Sequence, residues 1–226
     1  MKNVAEVTDG TRRALGAAAA VLAVAAVGAC AVDGDPVDSM AHRSVAASAF
    51  PVEPGAEVTT IPPAQLSAIV GDISGLPVGA QIDPPDCAPQ PISPLATDTA
   101  VQTAFGRAPA PGAPPPAYTT VITRTGDRLD DLAATVTRCR HYTRHSAVPV
   151  AIDQRVLDDV PAVSGARVFG YVRLESSPGV ATTLLVAQRG NIRVYATRRI
   201  AGDADADAVD PALVRLFTAA AAEGLR

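Results

Sequence analysis

The chain holds a single lysine, Lys2, no tryptophan, three histidines and three cysteines among 226 residues. Each scarcity excludes something. Beyond Lys2 no Ser-Lys dyad, lysine Schiff base or phosphate-gripping lysine can be assembled. Aromatic residues make up 4% of the chain, which argues against a polysaccharide platform of stacked rings. A histidine-dependent mechanism must draw on His42, His141 or His145. The sequence contains no G-x-S-x-G, H-E-x-x-H, P-loop or G-x-G-x-x-G motif, so no catalytic residue is assigned and the chain is expected not to be an enzyme. A net charge of −4 makes it a poor partner for nucleic acid. Its arginines are scattered and read as solvated faces. No internal repeat is present.

What is present begins with Arg12 and Arg13, an uncharged run of 16 residues from Ala14 to Ala29, and then Val27-Gly28-Ala29-Cys30 at its close. This is the basic, apolar and small-residue order of an export signal. The run is short and alanine-rich beside the roughly 20 apolar residues of a spanning helix. The alternatives are an ordinary cleaved signal or a transmembrane segment. A cysteine directly after the small residues resembles the lipobox of bacterial lipoproteins. That resemblance implies lipidation at Cys30, cleavage before it, and attachment to the extracytoplasmic face of the cell membrane, since more than one acyl chain gives a stable anchor. The bias to Ala, Val, Asp, Arg and Pro with almost no Lys matches a high-GC, actinobacterial genome.

With Cys30 assigned to lipid, Cys87 and Cys139 remain. An exported chain meets an oxidising compartment, and an even remainder points to one disulfide. A metal pair or a reactive thiol are the alternatives.

Residues 1–29 therefore read as a signal, 30–60 as a lipidated, flexible tether, and 61–226 as a single domain. Within the tether, Ala46 to Val58 has the option of packing as an edge segment. Pro62-Pro63 opens a short helix closed at Gly71, with Leu66, Ile69 and Val70 as its buried stripe. Residues 72–96, which include Cys87, read as mostly loop. Residues 99–107 and 117–125 alternate as a hairpin, joined by a proline-dense surface loop at 108–116. Leu129, Leu132, Val136, Cys139 and Tyr142 fall at helical spacing, which predicts a helix over 128–143 with His141 near its polar side. Val148–Ile152, Arg167–Glu175, Val180–Arg189 and Ile192–Arg199 read as strands, with a tight turn at Gly190-Asn191. Asp210 before Pro211 caps a last helix whose apolar face includes Leu213, Leu216, Phe217 and Ala220. The expected architecture is α+β: an antiparallel sheet of about 4–6 strands, helices packed on one face, and one disulfide.

Two motifs bear on metals. His141 and His145 have the i, i+4 spacing that holds a metal on one helix face, although no third ligand stands nearby. Asp203, Asp205, Asp207 and Asp210 form an acidic run, but the sixth and twelfth positions from Asp203 are Ala208 and Val214, not the glycine and glutamate of an EF-hand. The plain alternatives are an exposed histidine pair and a solvated loop before a helix cap. No metal and no cofactor are assigned.

The signal with Cys30, the Cys87 loop, the Cys139 helix, the late meander containing Ala187-Gln188-Arg189-Gly190-Asn191-Ile192 and the closing helix resemble small mycobacterial-type envelope lipoproteins. From about residue 60 the layout is similar to the extracellular sensor domain of actinobacterial serine/threonine kinases of the PknH type. The resemblance implies a sensor or binding role and lends no catalytic residue. The expected function is a non-catalytic envelope lipoprotein that binds a partner protein or a small envelope ligand. The alternatives are a carrier of lipid or another apolar molecule, and a hydrolase with an unrecognised site.

Overall fold

The strands of the second half set the architecture. Val180–Arg189 (VATTLLVAQR) buries Ala181, Thr182, Leu184, Leu185, Val186 and Ala187, and Ile192–Ala201 buries every residue from Arg193 to Thr197. A strand buried at consecutive positions is covered on both faces. The computed structural model describes residues 39–226 except 54, 178 and 203–208. It contains nine strands: β1 (Thr59–Thr60), β2 (Gln81–Asp83), β3 (Thr99–Phe105), β4 (Ala117–Arg124), β5 (His141–His145), β6 (Val150–Val156), β7 (Arg167–Glu175), β8 (Val180–Arg189) and β9 (Ile192–Ala201). They form one sheet in the order β1-β3-β4-β9-β8-β7-β6-β5-β2, each neighbour antiparallel to the next. Among the described residues three α-helices accompany it: α1 (Pro63–Ser74), α2 (Leu129–Arg138) and α3 (Pro211–Gly224).

The helices lie on both faces, not on one as the sequence predicts. Leu213, Leu216, Phe217, Ala220 and Ala221 of α3 pack with Ile122, Val172, Leu185, Ala187, Val194 and Ala196. Leu66, Val70 and Ile73 of α1, with Leu129, Leu132 and Val136 of α2, pack with Val101, Val121, Tyr171, Leu184, Val186 and Tyr195. These two sets of strand residues occupy opposite pleats, which makes the core two-sided.

The sheet also exceeds the expected 4–6 strands. The six read from sequence are present, and β1, β2 and β5 extend it. β1 and β2 have two and three residues, too few for a period to show. β5 overlaps the end of the helix predicted over 128–143 and runs two residues past it. The helix stops at Arg138, Cys139 is its C-cap, and the chain turns into a strand that pairs His141 with Asp153 and Tyr142 with Ile152. Tyr142 suits either period, and the Thr and Tyr of this stretch favour a pleated surface.

The segment expected as tether also departs from expectation. Met40, Val45 and Phe50 are core residues on the α3 side. Gln102 receives the Val45 N–H at 2.6 Å and donates to the Val45 carbonyl at 3.2 Å, a side-chain imitation of ladder pairing. Residues from 40 onward therefore strap across β3.

Candidate functional site: a cleft beneath the first helix

On the α1 side, two neighbouring rows of paired residues cross the sheet. The first runs Phe105, Ala117, Arg199, Thr182, Arg173. The second runs Thr103, Thr119, Thr197, Leu184. Threonine and alanine fill little height above the pleat, so Ile69, Asp72 and Ile73 of α1 overhang a cleft of about 320 Å³. That is at the lower end of the range for small-molecule sites.

Arg173 closes the inner end. It is 1% exposed, against the expectation of a solvated arginine. Its guanidinium donates to the Ile73 carbonyl at 3.1 Å and the Asp72 carbonyl at 2.7 Å. Those are carbonyls of the last turn of α1, where a helix leaves acceptors unpaired and favours a cation. Gly75 permits this approach. It is left-handed (φ 89°), and a Cβ there would lie 2.4 Å from one terminal guanidinium nitrogen.

Arg173 Nε lies 3.5 Å from Glu175 Oε1 without forming a hydrogen bond. Arg144 holds the same carboxylate with contacts of 2.7 and 3.4 Å. Burial pushes the Glu175 carboxyl up, but the Arg144 hydrogen bond and the charges of Arg173, Arg144 and Arg199 outweigh it and hold the group below the usual carboxylate range. Thr182 is buried, and its hydroxyl has no partner. An unmade hydrogen bond at a buried hydroxyl costs about 1–3 kcal/mol. Arg199, next to Thr182 in the row, is exposed and makes no ion pair among the described residues.

A second buried arginine, Arg193, serves the framework. It binds Gln188, Gln90, the Tyr195 hydroxyl and the Asp127 carbonyl, and so ties two loops to β9. Burial pushes the Tyr195 phenol up, against the opposing charge of Arg193.

The residues singled out in the sequence are distributed elsewhere. Cys87 and Cys139 are bonded, with Cα atoms 5.5 Å apart, and join the turn after β2 to the end of α2. They share a cluster with Ile82, Tyr142, Val150 and Ile152. His141 and His145 lie on β5, where four residues of extended chain separate them by about 13 Å. That is too far for one ion, and the paired-ligand geometry of a helix does not apply. His141 Nδ1 instead contacts the Asp153 carboxylate across the ladder. Among the described residues no group of three metal-ligating side chains occurs. Asp210 is the N-cap of α3, accepting from Ala212 N–H at 2.8 Å and from the Tyr118 hydroxyl at 2.8 Å, with Arg198 3.2 Å away. Burial first, and then Asp210, pushes the Tyr118 phenol up. Cys30, Asp203, Asp205 and Asp207 lie outside the described residues. Among the described residues no helix is long and apolar enough to cross a membrane.

Sequence reasoning missed Arg173, Thr182 and Arg199. The available signal was parity: in β7, Tyr171, Arg173 and Glu175 share a face, and the continuous apolar run of β8 beside them marks both faces as covered.

No protein-family model matches the chain, and no curated protein matches it. Among solved structures, an uncharacterized protein from Mycobacterium smegmatis (the Rv0999 ortholog) is similar with a TM-score of 0.43 and 20% identity, over 76% of this chain and 87% of that one.

Proposed function

We propose that the protein is a lipid-anchored, non-catalytic envelope protein whose sensor-like domain binds a small ligand in the cleft beneath α1. The observation that carries the reading is the cleft itself. It has apolar walls, a threonine floor, a buried hydroxyl without a partner and an arginine with no ion pair among the described residues. Pockets of this composition fix a ligand by a few polar groups while apolar contact supplies affinity. The address rests on Arg12, Arg13, the apolar run and Cys30, and the resemblance of the sequence layout to PknH-type sensor domains favours binding over turnover. A carrier role for an apolar molecule is the second reading, favoured by Ile69, Ile73 and Phe105 along the cleft.

Two measurements test this. Native mass spectrometry of protein isolated from membranes should show a bound small molecule that is lost in Ala117→Trp, which fills the cleft floor; an identical bound mass in the variant would remove the cleft from consideration. Metabolic labelling with a fatty-acid analogue should mark the wild-type chain and spare Cys30→Ala, and equal labelling would refute the anchor.

A further inference from the structure

The geometry points to an amphipathic carboxylate as the ligand of this cleft, its anion set against Arg199 and Thr182 and its hydrocarbon part against Ile69, Ile73 and Phe105. This rests on the reading of the cleft as the binding site.

The charge count selects the sign and the number. Arg144 and Arg173 are both engaged with Glu175, and Arg173 also serves the α1 carbonyls. Asp72 places one carboxylate on the cleft wall. Arg199 is left as the one cleft cation with no ion pair among the described residues. Its charge also acts on Glu175, but without a contact to it, and a single guanidinium free of a direct ion pair matches a single negative charge. A dianionic phosphate would leave a second charge facing Asp72.

The polar floor supplies the remaining hydrogen bond. Thr182 sits between Arg173 and Arg199 in the same cross-strand row, so its unpartnered hydroxyl and the Arg199 guanidinium are on adjacent strands of one face. Paired residues on neighbouring strands lie about 5 Å apart, a span that one carboxylate bridges. The other end of the row is Ala117 and Phe105. Phe105 is 61% exposed, a large apolar surface at the cleft edge with no cover among the described residues. The row therefore grades from polar to apolar along its length, as an amphipathic ligand does.

Octanoate and 1-octanol test the assignment, titrated calorimetrically into the full chain carrying Cys30→Ala. Octanoate should bind at least about tenfold more tightly than 1-octanol. Arg199→Gln, at an exposed position, should abolish that preference while leaving 1-octanol unchanged, and Phe105→Ala should weaken both. Equal affinities, or a preference that survives Arg199→Gln, would overturn the carboxylate assignment and leave the cleft reading standing. Octanoate binding that persists unchanged in Ala117→Trp would overturn both.

Discussion

Gly75→Ala should destabilise the protein far more than Gly79→Ala, although both glycines are left-handed, at φ 89° and 79°. The left-handed conformation costs a residue with a Cβ roughly 1–2 kcal/mol at either position. At Gly79 nothing lies within 4 Å of the added carbon. At Gly75 it meets Arg173 at 2.4 Å from a terminal nitrogen and 3.1 Å from Cζ. A long side chain at the surface would swing away. This one is buried, and swinging it breaks the bonds to Ile73 and Asp72 and withdraws a cation from Glu175. Breaking a buried charge from its partners costs about 3–5 kcal/mol. Gly75→Ala should therefore exceed Gly79→Ala by about 3 kcal/mol, read as a difference in unfolding free energy from urea titrations followed by circular dichroism. The Arg173→Ala background supplies the control, because the two glycine substitutions should cost the same there. A gap of under about 0.5 kcal/mol in the wild-type background, the spread usual for independent sites, would refute the close approach of guanidinium and turn.

Thr182→Val should raise stability by about 1 kcal/mol without ligand, since it removes a buried hydroxyl that lacks a partner; a lower Tm would mean that the hydroxyl is satisfied. Glu175 has a folded-state pKa depressed below the ordinary glutamate value of about 4.3, so its contribution is present above that value and is lost as pH falls through the folded pKa. Glu175→Gln should thus be less stable at pH 7 but show a flatter decline in urea midpoint toward pH 3, and parallel declines would contradict the ion-pair account. Reducing Cys87–Cys139, which closes a separation of 52 residues, should lower stability by about 4 kcal/mol on the chain-entropy model. Unchanged denaturation midpoints with and without reductant would show that the unfolded chain gains no freedom.

Local signals with a long period were legible. The hairpin of β3 and β4, the meander of β7 to β9 and the Asp210-capped final helix follow from alternation, a Gly-Asn turn and an N-cap followed by proline. The disulfide followed from counting cysteines once Cys30 was set aside. What was not legible depends on partners distant in sequence. β5 exists because β6 and β2 pair with it, and its residues alone fit a continued helix. Arg173 and Arg193 resemble solvated arginines until α1 and the 90 and 127 loops cover them. The cleft was invisible because its floor is a row across five strands, with neighbours such as Ala117 and Arg199 more than 80 positions apart. Met40, Val45 and Phe50 are too sparse to form a period, yet each reaches the core.

The pairing of β4 with β9 has a consequence for a chain cut short. The two halves of the sheet, β1-β3-β4 and β8 through β2, meet only through β9, and α3, which covers that seam, follows it in sequence. Without β9, β4 and β8 each present a naked edge, and α3, which follows β9, is not there to cover its face of the sheet. A chain truncated before β9 would therefore be left with two exposed sheet edges, at β4 and at β8, each a template for pairing with another chain.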